Sequence, residues 1–206
     1  MAEDKRIRKT KRYLKQALIE ILTEKPFEQI TVTELCQHSD ISRITFYAHY
    51  NDKFALVDEM FAEMLTSATQ DYRQRQQANN PTNETIQTFC NLLDCILNLY
   101  NENMSLLSDT TIDKNPYLYY MFYSYIVRNV EQVIMHRHQI IKPKYSIKQV
   151  SGFICNSLWA FMSEARAADI SSEVVRRDAK TVLTGILKAN IVIENQPAPT
   201  SANSHN

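Results

Sequence analysis

Residues 30–53 read ITVTELCQHSDISRITFYAHYNDK, and few folds accommodate that order. Thr31 followed three residues later by Glu34 is the pattern of a capping box: a hydroxyl accepts from a free amide one turn ahead, and a carboxylate reaches back to the cap's own amide. The pattern predicts a helix from Val32 that buries Val32, Leu35 and Cys36 and leaves Thr33, Glu34 and Gln37 facing water or a partner. The helix is short, because His38, Ser39 and Asp40 break the apolar spacing and Asp tolerates a left-handed backbone at a turn. Ser42 then caps a second helix, expected over residues 43–50, with Ile41, Phe46 and Tyr50 inside and Arg43, Thr45, Tyr47 and His49 pointing elsewhere. Two capped helices joined by a turn of about three or four residues make a helix-turn-helix unit, whose second helix can enter a major groove.

The outward set suits DNA chemically. Arg43 can make two parallel bonds to guanine, Thr45, Tyr47 and the amides at the helix start can hold phosphate, and Lys53 adds charge at the far end. Thr31, Thr33, Ser42, Ile44, Ala48 and His49 complete the candidate duplex-facing residues. Spacing alone also allows an ordinary corner between two solvated helices.

The run TVTELCQHSDISRITFYAHYNDKFAL resembles the DNA-binding segment of the tetracycline-repressor (TetR) family of bacterial transcription regulators. The likeness rests on Thr31, Val32, Leu35, Ile41, Ser42, Thr45, Phe46, Tyr47, His49, Tyr50, Lys53 and Leu56 and covers about the first quarter of the chain. Two positions depart from the family pattern: Asp40, where Gly is usual, and Ile44, often Gly or another small residue. The second puts a branched apolar side chain near the groove, so its base preference is not borrowed from relatives. The resemblance implies an all-α fold: an N-terminal three-helix helix-turn-helix domain, residues 1–53, and a larger helical domain, residues 54–194, for effector binding and dimerisation. Residues 195–206, NQPAPTSANSHN after Glu194, have the composition of a disordered tail. It further implies a homodimer on a palindromic operator, released by a small-molecule effector, with activation rather than repression left open. The segment VSGFICNSLWAFMSEA is loosely similar to the effector-domain subset related to the dihydroxyacetone-kinase regulator.

A formal net charge of +0 argues against nucleic acid until its distribution is considered. Lys5, Arg6, Arg8, Lys9, Lys11, Arg12 and Lys15 crowd the start of the chain, where they repel one another unless a polyanion or counterions lie close. The basic start is not followed by an apolar core and no apolar run is long enough to span a bilayer, so neither signal peptide nor membrane span is expected and a cytoplasmic protein is implied. Cys36, Cys90, Cys95 and Cys155 lack CxxC spacing and read as reduced core thiols. There is no Gly-rich phosphate loop, no metal set and no nucleophile placed with a base and an orienting acid, so no enzyme, metal or cofactor is expected. His136 and His138, two apart, point about opposite ways around a helix and do not make a metal pair. A helical adaptor that docks an acidic protein through the basic arm is the competing reading.

Helical spacing continues over residues 6–24, 54–77, 85–100, 117–137, 146–168 and 171–190, with residues 78–83 as the clearest linker. Aromatic and Met side chains crowd residues 117–125, and such clusters suit a pocket for an apolar or aromatic molecule. Phe89, Leu93, Tyr120, Tyr123 and Trp159 are the candidate lining, with plain core packing as the alternative. Both glycines, Gly152 and Gly185, fall inside the last two helices at a cost of about 1 kcal/mol each relative to Ala, which points to close backbone approach. Val150, Gly152, Phe153, Ile154, Ser157, Phe161, Val182, Gly185 and Ile186 are therefore the candidate dimer interface, in the four-helix manner the resemblance implies. Internal packing is the alternative here too.

Overall fold

The computed structural model describes residues 5–103, 106, 114–137, 141–190 and 193–195. Among them lie eight α-helices: α1 (Lys5–Leu22), α2 (Val32–Ser39), α3 (Arg43–Tyr47), α4 (Lys53–Asn79), α5 (Thr85–Glu102), α6 (Pro116–His136), α7 (Ile147–Ala167) and α8 (Ser172–Lys188). A 3-10 turn, Phe27–Gln29, and two strands, β1 (Ile141–Pro143) and β2 (Ile193–Asn195), complete them. The architecture is all-α apart from the antiparallel ribbon of β1 and β2, which pairs Ile141 with Asn195 and Pro143 with Ile193. Strands of three residues are too short to show an alternating pattern, which is why the ribbon has no sequence signal. Of the tail expected at 195–206, only Asn195 is described, and it ends β2; the rest lies outside the described residues.

The chain divides into two compact units. Met1–Ser67 with Glu102–Tyr123 form the first, and Ala68–Asn101 with Ser124–Asn206 the second. The first unit closes its core around Leu14, Leu18, Phe27, Leu35, Phe46 and Leu56, all fully buried. α1 contributes by i, i+3, i+4 spacing, burying Leu14, Ala17, Leu18, Ile21 and Leu22. α6 begins in this unit, and its Leu118 and Phe122 are buried one turn apart, Phe122 beside Phe61.

In the second unit the apolar stripes again run at four-residue steps: Ile126, Val130 and Ile134 on α6, Val150, Ile154, Leu158 and Met162 on α7, and Val175, Ala179, Leu183 and Leu187 on α8. The stretch expected as a linker, residues 78–83, is a fixed corner. Asn80 is only 2% exposed; its amide donates to Thr88 Oγ1 (3.0 Å) and Glu84 O (3.1 Å), and its oxygen accepts from Glu84 N (2.8 Å). Asn, Asn and Pro signal a turn, but composition does not reveal that an Asn side chain bonds back into the helices it joins.

Neither glycine is explained by packing among the described residues. A Cβ built on Gly152 or Gly185 meets nothing within 4 Å, so the close backbone approach expected from their helical positions is absent among the described residues. No helix among the described residues is long and apolar enough to cross a membrane.

Candidate nucleic-acid interface

Local caps build the corner. Thr31 Oγ1 accepts from Glu34 N (3.2 Å) while Glu34 Oε2 accepts from Thr31 N (2.9 Å), so both halves of the capping box form. Glu34 also pairs with Lys25; the bond from that ammonium, followed by those from Thr31, holds its carboxyl down at about 2. α2 stops at Asp40, which takes the left-handed conformation with φ 53 and ψ 38, and Ile41 N returns to Cys36 O at 3.0 Å. Ser42 restarts the chain as a helix, its Oγ accepting from Thr45 N at 3.1 Å.

α3 is shorter than expected, ending at Tyr47 rather than residue 50. Ala48 caps it, and the amides of His49 and Tyr50 both turn back to Phe46 O at 2.9 Å, which still delivers Tyr50 to the core at 4% exposure. Phe46 is fully buried against Tyr50, with ring centroids 5.7 Å apart, and anchors the short helix. Outward from it stand Arg43, Ile44, Tyr47 and Ala48, while Thr45 and His49 are half-buried. Thr45 Oγ1 lies 2.9 Å from Ser42 Oγ and His49 packs edge-on to Tyr50 at 6.5 Å. The Arg43 guanidinium lies over the Tyr47 ring at 6.0 Å, which steadies both side chains at the surface. Thr31 and Thr33 are exposed on α2, and Ser42 is exposed at the turn.

Lys53 corrects the sequence reading. Its ammonium is turned inward, donating to Phe27 O (2.8 Å), Glu28 O (3.0 Å) and Ile30 O (2.8 Å) and lying over the Phe27 ring at 4.6 Å. An ammonium has three donors, so this group is committed to tying the 3-10 turn to α4 rather than held out toward phosphate. Burial lowers its pKa, opposed by Glu28 and Glu34. The basic face of α1 is divided in the same way. Lys5, Arg6, Arg8, Lys9 and Arg12 are exposed, whereas Lys11 and Lys15 each reach Glu59 at 2.7 Å and Lys15 also reaches Glu63 at 2.6 Å.

Asn115 and Tyr117 brace the corner from the start of α6, and sequence reasoning missed them. Asn115 Oδ1 accepts from Phe27 N at 2.7 Å, and Tyr117 stacks on Phe27 at 5.4 Å, packs edge-on to Phe54 at 4.8 Å and donates to Asp58 Oδ1 at 3.0 Å. Glu28 Oε1 accepts from Tyr117 N at 3.2 Å. Asn115 before Pro116 is a readable helix start, but the partner it takes lies far back along the chain.

The candidate effector residues fall differently from one another. Phe89 and Leu93 are buried on α5 at 1% exposure, and Trp159 is half-buried, edge-on to Tyr100 at 6.1 Å. Tyr123 is half-buried and stacked on Tyr119 at 6.1 Å. Tyr120 is 67% exposed, which corrects its assignment to a pocket lining: it sits two residues from Leu118 and Phe122 and so points away from the buried stripe of α6. Of the candidate dimer residues, Val150 (1%) and Ile154 (4%) belong to the core of the second unit, a second correction. Their four-residue step is also that of Leu158 and Met162, while Phe153, Ser157 and Phe161 form the adjacent row. Phe153 is 47% and Val182 45% exposed, Gly185 is exposed, and Gly152, Ser157, Phe161 and Ile186 are half-exposed. Among the described residues no group of three or more His, Cys, Asp or Glu side chains is placed to hold a metal ion.

The fold is similar to that of solved structures. A TetR transcriptional regulator from Streptococcus agalactiae 2603V superposes with a TM-score of 0.61 at 19% identity, covering 87% of this chain and 96% of that one. This is the TetR-regulator fold. The flavonoid-responsive regulator FrrA has the same fold, with a TM-score of 0.58 and 13% identity over 87% of this chain and 96% of its own. In sequence, 51 residues are 36% identical to the uncharacterized HTH-type transcriptional regulator YxbF of Bacillus subtilis (strain 168). That stretch spans 25% of this chain and 13% of YxbF. No family profile matches the chain. The proteins it resembles are described as transcription regulators.

Proposed function

We propose that the chain is a homodimeric, DNA-binding transcription regulator of the cytoplasm, a repressor that leaves an inverted-repeat operator when a small molecule binds its larger domain. The observation that carries the reading is the corner itself: a helix of five residues, fixed by a Ser42 cap and a buried Phe46, that holds Arg43, Ile44 and Tyr47 out to solvent. A side chain on so short and so well anchored a helix reaches base edges with little loss of conformational freedom, and Arg43 suits guanine in the major groove. Thr31, Thr33, Ser42 and the exposed cations of α1 are assigned to phosphate and flanking contacts.

Residues 1–53 are the proposed reading head and residues 54–194 the effector and dimer domain. The exposed Phe153 with half-exposed Ser157 and Phe161 on α7, and exposed Val182 and Gly185 with half-exposed Ile186 on α8, support self-association. A Cβ at either glycine would meet nothing within 4 Å among the described residues, which leaves both open to approach by a second copy's helices. Two-fold symmetry would then set half-sites about 34–36 Å apart or somewhat more. The name of the similarly folded FrrA, a flavonoid-responsive regulator, supports effector control in outline only. α4 and α6 each run from the first unit into the second and are the proposed routes by which an effector changes the head.

The test is discrimination. Duplexes selected by the protein from a random pool should outcompete scrambled ones, and Arg43→Ala should remove most of that preference while leaving binding to scrambled DNA at low salt. A protein-binding adaptor would hold all duplexes alike.

A further inference from the structure

The Ile44 side chain takes no part in the core. It is 86% exposed, more than any other large apolar side chain among the described residues, and it lies in the middle of the corner just described. Its neighbours one turn on, Tyr47 at 49% and Ala48, are exposed on the same face, while Arg43 stands beside it. The surface that α3 presents is thus half cationic and half apolar. A β-branched side chain in a helix has one strongly preferred rotamer, so Ile44 is held out in a single direction and is pre-organised for contact.

We propose that Ile44 reads the 5-methyl group of a thymine next to the base pair that Arg43 reads. This rests on the DNA-binding reading given above. The chemistry narrows the choice: the C5-methyl of thymine is the one apolar group larger than a hydrogen that base edges show in the major groove, cytosine offering only a C5–H at the same place and the remaining groups being mainly hydrogen-bond donors or acceptors. An apolar protein groove is a poorer match, since the apolar face is three side chains wide and flanked by a guanidinium and by the hydroxyls of Ser42 and Thr45. A duplex meets both halves of the surface at once.

The experiment uses the full chain and synthetic DNA. After selection from a pool of random duplexes, the affinity for the winning duplex is compared with that for the same duplex carrying deoxyuridine in place of thymidine, one position at a time. Deoxyuridine lacks only the methyl and pairs unchanged. One thymine position per half-site should show a loss of about fourfold, the size expected for one methyl returned to water. Ile44→Ser should bring that ratio close to one, and Ile44→Val, which keeps a branched apolar surface, should retain most of it. With Ile44 so exposed, both variants should melt like the natural chain. Selection of a preferred sequence with no methyl-dependent position, or a deoxyuridine loss unchanged in Ile44→Ser, overturns the assignment of Ile44 and leaves the DNA-binding reading standing. Equal affinity for every duplex overturns both.

Discussion

Glu59, in the first unit, and Asp94, in the second, each gather basic side chains from neighbouring helices. Glu59 takes Lys11 and Lys15 at 2.7 Å each and the Tyr50 hydroxyl at 3.0 Å, with its side chain 27% exposed. Asp94 takes Arg176 at 2.8 Å, Lys180 at 2.7 Å and Arg75 at 3.7 Å, with its side chain 8% exposed. Water can replace the first carboxylate and cannot readily replace the second. One cluster is a store of positive charge at the surface; the other is a clamp between α4, α5 and α8 inside a single unit.

The comparison breaks most visibly at Asp94. Asp94→Ala should cost about 2–3 kcal/mol, somewhat below the range for fully buried pairs, because its three cations each keep roughly a third of their exposure. Urea unfolding followed by circular dichroism measures it, and a loss below about 0.5 kcal/mol would make the two clusters equivalent. Next in size is Lys53→Met, which strips the ammonium from three carbonyls and should cost about 2 kcal/mol. Its loss of DNA affinity should follow that of the folded population, whereas a Lys53 that held phosphate would show a flatter salt dependence with stability unchanged.

The smallest effect belongs to Glu59→Gln. Stability should change by less than about 1 kcal/mol, the usual worth of a part-exposed pair. Binding to scrambled DNA should tighten at low salt, because Lys11 and Lys15 are freed for phosphate. The acid limb of a stability profile sharpens the point. Burial raises the Glu59 pKa, but the bonds from Lys11 and Lys15 outweigh it and bring the carboxyl to about 2. A depressed carboxyl contributes stability above its ordinary value of 4.5, here held to under about 1 kcal/mol by solvent screening of the part-exposed pairs, and the contribution is lost as pH falls from there toward 2. Glu59→Gln should flatten the profile within that window; an unaltered acid limb would contradict the pairing.

How much was legible follows the same division. The corner could be read because its signals are local: Thr31 with Glu34, Asp40 at the turn and Ser42 before α3 all act within one helical turn. Lys53 was misread because its partners, Phe27, Glu28 and Ile30, lie 23 to 26 residues away, and a lysine after a recognition helix looks the same from the sequence whether it faces in or out. Asn115 and Tyr117 were missed for a like reason, their partners Phe27 and Glu28 being 88 and 89 residues distant. In the second unit, four-residue steps marked which helices have a buried stripe but not its phase among crowded apolar residues. Val150 and Ile154 therefore read as surface row, and on the part of α6 that belongs to the first unit Tyr120 reads as interior for the same reason, each displaced by one or two positions.

Oxidative labelling of exposed side chains, read by mass spectrometry with and without a selected duplex, tests the central assignment most directly. Tyr47 and Ile44, 49% and 86% exposed in the free chain, should be shielded on adding DNA, while Tyr120 at 67% and Tyr145 at 55% should label as before. Unchanged labelling of Tyr47 and Ile44 under saturating duplex, or shielding confined to Tyr120 and Tyr145, would contradict it.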